Sequence, residues 1–386
     1  MVTRGFWQKR ITAAWEERPI IWLTGVRRVG KTTLARSLPD VRYYDCELPK
    51  VRRLIEDDVE EFLGRESSGR LVLDEVHRLS NPSEVLKIAA DHHPNLRILA
   101  TGSSTLGASA RFRDTLAGRK RVLHLPPVLF SELASFGVAD LPRRLLHGGL
   151  PENMMADRFP EKDFSEWMDA FWARDIQEMF RLERRDAFLR LLELLLVQSG
   201  SLCELTALAA PCGANRQTLT NYLKVLEETG AVHVLRPFAK HPRREITAMP
   251  KVYGFDTGFV CHARGWRELR PEDLGKLWEH LVLDELKANF PPGDIFYWRD
   301  KQKHEMDFVV AQRGRRPVAV ECSWKLRQKS GKNFSPFAAL YPEAGKVLVA
   351  TDAGPPRIQR AQGYVETGLA ELETAVRLAA DMPPGN

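Results

Sequence analysis

The stretch from Ile20 to Leu38 restricts the fold more than any other part of this chain. A short apolar run, Ile20 to Leu23, leads into GVRRVGKT at residues 25–32, and leucines at helical spacing follow. The sequence matches GxxxxGK[ST] in full, and strand, loop and helix stand in the order that this motif requires. Gly25 and Gly30 allow the backbone to curl so that several N–H groups point at one anion. The stretch therefore predicts a parallel α/β domain with a phosphate-binding loop.

The residue types in this loop predict ATP and Mg²⁺ as its ligands. The Lys31 ammonium would neutralise the β- and γ-phosphates, and the Thr32 hydroxyl would bind the metal ion. The predicted nucleotide contacts in the loop are Gly25, Val26, Arg27, Arg28, Val29, Gly30, Lys31, Thr32 and Thr33.

An acidic pair follows a second apolar strand. Leu71 to Leu73 are followed by Asp74 and Glu75. At the edge of a parallel sheet, Asp74 would hold Mg²⁺ through water, while Glu75 would orient and deprotonate the attacking water. A solvated acidic pair after a strand is the alternative. We predict that Lys31 and Glu75 are catalytic.

Small polar residues end a third apolar run. Leu96 to Ala100 are followed by Thr101 and Ser103. Since parallel strands deliver such groups to the same edge as the phosphate loop, we expect Ser103 to sense the γ-phosphate through a hydrogen bond. Ordinary turn chemistry would select the same residue types.

The chain resembles the AAA+ ATPases in the stretches GVRRVGKTT, LVLDEVHRL, ILATGSST, LAGRKRVLHLPPVLFSEL and GGLPE. More narrowly, it is similar to a prokaryotic family in which the ATPase module precedes a C-terminal domain of unknown function. The resemblance covers roughly residues 15–350. It implies that Arg119 of LAGR serves the nucleotide site of a neighbouring subunit, because arginine stays charged and faces phosphate well. A solvated arginine is the alternative.

The middle of the chain is predicted to be helical, with a lid or linker at residues 136–185 and a winged helix at 186–255. Three helices, the second capped by Ser201, precede two strands. In the winged-helix plan the third helix enters a DNA groove. Its predicted DNA-facing residues are Asn215, Arg216, Gln217, Thr220, Asn221 and Lys224, with Lys240, His241, Arg243 and Arg244 on the wing. Packing against protein is the alternative use of such a domain.

Residues 256–386 follow the order helix, strand, strand, turn, strand, which resembles the PD-(D/E)xK nuclease core. Glu279, Asp307 and Glu321 would be its metal ligands. The lysine expected two residues after Glu321 is replaced by Ser323. Lys325 would lie on the same strand face but about 7 Å further along, at about 3.3 Å per residue. We therefore expect a degenerate nuclease-like domain.

Composition is typical of a folded, globular protein and indicates its cellular compartment. Lys and Arg number 57 against 51 acids, a net charge of +6, which permits nucleic-acid contact without requiring it. The five cysteines are scattered, and no run of 18 apolar residues or signal peptide occurs. We expect a cytoplasmic protein without a membrane partner, whose AAA+ domain occupies residues 1–135.

The predicted function is Mg²⁺-dependent ATP hydrolysis coupled to DNA or to a protein partner, with homo-oligomer formation left open. One alternative is a nucleotide-dependent switch with negligible turnover. The other is an ATP-regulated, metal-dependent DNA nuclease.

Overall fold

The computed structural model describes residues 2–66, 68–102, 115–180, 182, 184–239, 249–328 and 334–382. An N-terminal parallel sheet has the order β2-β3-β4-β1-β5. Its strands are Ile20–Thr24 (β1), Val41–Asp45 (β2), Gly69–Asp74 (β3), Leu96–Thr101 (β4) and Lys120–His124 (β5). Because β4 lies between β1 and β3, the phosphate loop after β1 and the acidic pair after β3 are one strand apart. The parallel α/β class predicted from sequence is confirmed.

Short helices connect and cover these strands. They are Gly5–Glu17 (α1), Lys31–Arg36 (α2), Pro49–Glu56 (α3), Val59–Arg65 (α4) and Pro82–His92 (α5). The buried face of α1 includes Trp7, Ile11 and Trp15, and the Trp15 indole donates to Ile98 O (3.2 Å). This contact fixes α1 against the centre of the sheet.

A helical segment follows the sheet, where a lid or linker was predicted. It comprises Leu141–His147 (α6), Pro151–Met155 (α7), Glu161–Ala170 (α8), a π-helical stretch Phe171–Ile176 and Gln177–Phe180 (α9). A π-bulge within an α-helix is rare and frequently lies at a functional site. Here it faces the phosphate loop.

Three helices and a small sheet come next. They are Arg185–Val197 (α10), Ser201–Leu202 (β6), Leu205–Cys212 (α11), Arg216–Glu228 (α12), Val232–Leu235 (β7) and Lys251–Gly254 (β8). The strands form an antiparallel sheet in the order β6-β8-β7. Ser201 does not cap α11 as expected, because its backbone pairs with Val252 and the helix begins four residues later. The predicted wing residues Lys240, His241, Arg243 and Arg244 lie outside the described residues.

The C-terminal part is a six-stranded mixed sheet in the order β13-β14-β12-β11-β10-β9. The helices are Thr257–Ala263 (α13), Pro271–Asn289 (α14), Phe334–Leu340 (α15) and Leu372–Asp381 (α16). The strands are Ile295–Arg299 (β9), Glu305–Val310 (β10), Val318–Ser323 (β11), Gly345–Ala350 (β12), Arg357–Gln359 (β13) and Tyr364–Thr367 (β14). The short strand-like segment before the wing joins this sheet, because Phe238 N donates to Tyr297 O (2.6 Å) at the β9 edge.

One apolar cluster includes buried side chains from the N-terminal sheet, the helical middle and the C-terminal part. Buried side chains from β1, α8, α12 and α14 belong to a single cluster, among them Leu23, Trp167, Leu226 and Trp278. The polar groups within this packing are paired in a way that fixes protonation. His280 Nδ1 lies 3.0 Å from Lys276 O, which can only accept, so Nδ1 carries the proton. His280 Nε2 then accepts from the Ser199 hydroxyl (2.7 Å).

Candidate nucleotide-binding site

The phosphate loop leaves β1 through a very tight turn. Gly25 has φ 154°, and a Cβ at this position would lie 2.5 Å from Leu125 O at the end of β5. Gly30 has φ 95° and immediately precedes α2, which begins at Lys31. The two glycines are therefore needed for different reasons, the first for close backbone approach and the second for a left-handed conformation.

The Lys31 side chain folds back over the loop. Its ammonium donates to Gly25 O (2.7 Å) and Val26 O (3.1 Å). Burial lowers the pKa of Lys31, and the nearby charges of Glu75 and Asp175 oppose that effect. The cation is thus placed inside the loop and balanced by acids from two other elements.

A buried ion pair contacts the phosphate loop. Arg4 pairs with Glu132 (2.5 Å), and both side chains are only 4% exposed. Arg4 also donates to Val29 O (3.2 Å) in the loop and to Pro126 O (3.4 Å) after β5. Through these two hydrogen bonds, Arg4 connects the loop to the segment after β5, and removing either member of the ion pair would leave a buried charge uncompensated.

Asp74 is buried and held by two hydroxyl groups. Its carboxylate accepts hydrogen bonds from Tyr43 (2.5 Å) and from Thr101. Thr101 Oγ1 also accepts the Glu75 N–H (3.1 Å). The end of β4 therefore joins the two acidic residues, although the sequence had suggested a phosphate contact for this strand end. Ser103, the residue proposed for that contact, lies outside the described residues.

Glu75 adopts a left-handed backbone conformation (φ 53°, ψ 42°) and points its side chain toward the loop. Its Oε2 lies 3.1 Å from His77 Nδ1. Burial would raise the pKa of Glu75, but the His77 hydrogen bond and the Lys31 charge outweigh it, so that the pKa is lowered. Glu75 is consequently an ionised carboxylate, as a general base must be.

The phosphate loop, Glu75 and the helical segment after the sheet line one cavity of about 490 Å³. Lys31, Thr32, Glu75 and Arg78 line it from the sheet side, and Arg174 lines it from the π-helical stretch. The concentration of cationic side chains and loop amides suits a polyphosphate. The site therefore fits the nucleotide predicted from sequence.

The helical segment after the sheet makes direct contact with the phosphate loop. The Trp167 indole donates to Arg27 O (3.1 Å), and Asp175 Oδ2 lies 3.4 Å from Arg27 Nη1. Burial raises the pKa of Asp175, whereas the charges of Arg27 and Lys31 act against the increase. A carboxylate from the π-helical stretch thus faces the loop cations.

Arg119, the arginine implied for a neighbouring site, does not line this cavity. Its guanidinium binds Asp91 with two hydrogen bonds, 2.6 and 3.0 Å, on the surface. This pairing raises the pKa of Arg119 and lowers that of Asp91. A role on a second subunit would require the pair to open, and it stays a prediction.

The metal site predicted from the C-terminal carboxylates stays a prediction. Within the described residues no group of three or more His, Cys, Asp or Glu side chains is placed to hold a metal ion. This range includes Glu279, Asp307 and Glu321. Burial alone would lower the pKa of Lys251, but the charges of Glu279, Asp307 and Glu305 raise it. The negative charges of these three carboxylates are thus balanced by a buried lysine from β8, which the sequence analysis did not consider.

The expected position of Lys325 is wrong. β11 ends at Ser323, whose hydroxyl donates to Lys325 O (2.6 Å), and the Lys325 side chain is exposed. Alternation along an extended strand therefore does not apply to this lysine. The nuclease-like assignment itself stays a prediction.

The face of α12 predicted to contact DNA is exposed. Its exposed residues are Asn215, Arg216, Gln217, Thr220, Asn221 and Lys224. Asn215 also caps the helix, since its side chain accepts the Thr218 N–H (2.8 Å). Leu219, Tyr222 and Leu226 are buried on the opposite side, so the helix presents one polar face.

Comparison with known protein families divides the chain into three parts. Residues 17–134 match a family described as an AAA domain. Residues 138–270 and 274–367 match two families described as Domain of unknown function (DUF8612) and Domain of unknown function (DUF4143). The chain therefore matches an AAA domain followed by two domains of unknown function, which supports the coarser sequence prediction.

The curated relatives are themselves uncharacterized. Proteins Mb2031c of Mycobacterium bovis and Rv2008c of Mycobacterium tuberculosis are each 29% identical over 320 residues, covering 79% of this chain and 70% of theirs.

Two solved structures show a distant likeness. The Walker-type ATPase PABY2304 of Pyrococcus abyssi has a TM-score of 0.44 at 15% identity, covering 68% of this chain and 96% of that one. The ORC1 protein of Aeropyrum pernix in complex with DNA has a TM-score of 0.28 at 14% identity, covering 69% and 92%. At these scores neither structure supports a functional argument. Separately, no helix in the described ranges is long and apolar enough to cross a membrane.

Proposed function

On the premise that residues 17–134 are an AAA domain, we propose that this protein binds ATP with Mg²⁺ and hydrolyses it. One observation carries the proposal. Lys31, at the start of α2, and Glu75, directly after β3, line the same cavity. A phosphate-binding cation and an ionised base in one cavity are the groups that phosphoanhydride hydrolysis needs.

The loop, Lys31 and Glu75 have different roles in the proposed hydrolysis. The loop amides and Lys31 bind the phosphates and stabilise the charge that develops on them. Glu75 accepts the proton of the attacking water. To bind phosphate, the Lys31 ammonium has to exchange the Gly25 and Val26 carbonyls for phosphate oxygens, which compensates the lost hydrogen bonds.

The residues present fit a Mg²⁺ ion. Thr32 lines the cavity and offers a hydroxyl oxygen, whereas Asp74 is buried and already accepts two hydroxyl hydrogen bonds. Direct binding by Thr32 and water-mediated binding by Asp74 suit this arrangement. When bound, the ion neutralises charge on the phosphates.

The test separates binding from turnover. Lys31→Ala should abolish ATP binding measured by calorimetry, because it removes the charge that faces the phosphates. Glu75→Gln should bind ATP normally but hydrolyse it about 10²- to 10⁴-fold more slowly. Glu60→Gln, an exposed residue in α4, is the matched control and should retain the unmutated rate.

Unchanged hydrolysis by Glu75→Gln would contradict the water-activation role. Absence of turnover in the unmutated protein, with tight ATP binding, would favour the switch alternative.

A second candidate function is DNA binding through α12, because the whole polar face predicted for it is exposed. Contacts of Arg216 and Lys224 with phosphates would make the affinity depend on salt. Each lost contact should reduce the salt slope by about one, measured by fluorescence anisotropy with duplex DNA. If the unmutated protein shows no salt-dependent binding, DNA is not its partner.

A further inference from the structure

We propose that His77 is a positioning residue for hydrolysis, which acts by holding the Glu75 carboxylate in its working orientation. The inference rests on the proposed ATPase function and assigns a role to a residue that the phosphate-loop and acidic-pair motifs do not include. Three observations support it: the strained backbone of Glu75, the contact between the two side chains, and the space left for the imidazole.

The backbone at Glu75 needs support from its surroundings. A left-handed backbone conformation is unfavourable for a residue other than glycine. Glu75 adopts it directly after β3, with φ 53° and ψ 42°. Its N–H is held by Thr101 Oγ1 (3.1 Å), which fixes the main chain. That hydrogen bond does not determine where the carboxylate points.

The carboxylate is oriented by His77. The distance from His77 Nδ1 to Glu75 Oε2 is 3.1 Å, and both residues line the nucleotide cavity. With a proton on Nδ1, the imidazole donates to Oε2. We assign the other oxygen, Oε1, to proton transfer: it takes a proton from water as the water oxygen bonds to the terminal phosphorus. The bond from that phosphorus to the bridging oxygen breaks, and ADP leaves with the electron pair.

His77 itself is fixed by the surrounding fold. It lies in a 3₁₀ turn, Val76–Arg78, whose Val76 side chain is fully buried. At the end of β4, a Cβ on Gly102 would lie 3.3 Å from His77 Nδ1 and 2.9 Å from the Trp22 ring. The absence of a side chain at Gly102 leaves room for the imidazole beside the sheet. A turn with a buried anchor therefore places the ring next to the base.

The experiment compares His77→Ala with His77→Asn, whose amide N–H can replace the Nδ1 donor. His77→Ala should lower kcat about 10- to 100-fold through loss of orientation, while KM and the Kd for ADP change by less than about twofold. His77→Asn should restore most of kcat. His92→Ala, an exposed histidine at the end of α5, is the control and should match the unmutated enzyme.

A double variant separates positioning from general structural support. In a Glu75→Gln background, adding His77→Ala should reduce kcat by less than about twofold, because His77 acts only through the carboxylate. An unchanged kcat in His77→Ala would overturn the proposal. A raised Kd with unchanged kcat would identify a phosphate contact instead, and equal losses in His77→Ala and His77→Asn would indicate packing alone.

The parent enzyme and Glu75→Gln alone test the proposed function independently. If the parent does not hydrolyse ATP, or if Glu75→Gln does so at the parent rate, the proposed function fails and the role of His77 fails with it. If both behave as expected, the His77 variants decide the positioning role by themselves.

Discussion

Gly25→Ala should impair nucleotide binding by displacing the start of the phosphate loop. The added methyl group would lie 2.5 Å from Leu125 O and 3.1 Å from Val29 Cγ1. Real Cβ atoms essentially never approach closer than 3.0 Å, so the backbones must separate by at least half an ångström. Leu125 cannot retreat easily, since its N–H donates to Thr24 O (2.8 Å). The loop moves instead.

The expected loss follows from that displacement. Misplacing a binding group by about 1 Å can cost about 10²-fold, equivalent to roughly 2.7 kcal/mol. Strain at φ 154° adds about 1–3 kcal/mol of destabilisation to the folded protein. We therefore expect ATP affinity to fall about 30- to 100-fold, with a lower thermal unfolding temperature in the absence of nucleotide.

Calorimetric titration with ATP measures the affinity, and thermal denaturation without ligand confirms that the variant is folded. The matched control is Gly64→Ala in helix α4, where an added Cβ has nothing within 4 Å. That change should leave ATP affinity alone and stabilise the protein by roughly 0.5–1 kcal/mol. A folded Gly25→Ala protein that binds ATP within about threefold of the parent would refute the reasoning.

Two other variants test the titratable residues Asp175 and His280. Asp175→Asn removes a negative charge that faces Arg27 and Lys31, so ATP affinity measured by calorimetry at pH 8 should rise about threefold to tenfold. Because burial raises the pKa of Asp175, the parent carboxylate becomes protonated as the pH falls, and the gain in affinity should shrink at lower pH. Burial lowers the pKa of His280 to about 4, and its neutral form accepts from Ser199, so stability is full above the unfolded pKa of about 6.5 and falls between there and pH 4. Relative to His280→Gln in urea unfolding, the parent should lose up to roughly 1.4 kcal/mol per pH unit across that window.

The parts of the site that depend on local pattern were predictable from the sequence. A buried strand, two glycines and a lysine at fixed spacing determine the loop, and β1 and β3 were placed to within a residue or two at each end. The order β2-β3-β4-β1-β5 was not predictable in this way, because strand neighbours are set by contacts between distant segments. Only that order explains why Thr101 bridges the acidic pair.

The ion pairs that support the loop could not be predicted from the sequence for the same reason. Arg4 and Glu132 are separated by 128 residues, and Arg27 and Asp175 by 148. No short motif connects such pairs. The single partial signal was the adjacency of His77 to the acidic pair, since a side chain two residues beyond Glu75 in a tight turn returns to its vicinity.

The errors came from extending a local rule beyond the end of an element. Ser201 with Glu204 has the spacing of a capping box, yet the antiparallel pairing of Ser201 with Val252 takes precedence over helix initiation. The argument for Lys325 assumed strand geometry two residues past Ser323, where the chain has already turned. Both positions lie where tertiary pairing decides the boundary.

The proposed ATP site and the polar face of α12 are connected by contiguous packing. From Arg27 O in the loop, contact passes to the Trp167 indole, which stacks on Phe171 with ring centroids 4.9 Å apart. Phe171 lies 6.4 Å from Phe188, and Phe188 lies 5.4 Å from Tyr222 on the buried side of α12. Because protein interiors are packed as densely as organic crystals, the rings cannot absorb a loop displacement independently. Any effect of ATP on α12 must then be reciprocal, so a ligand of α12 would change ATP affinity by the same factor.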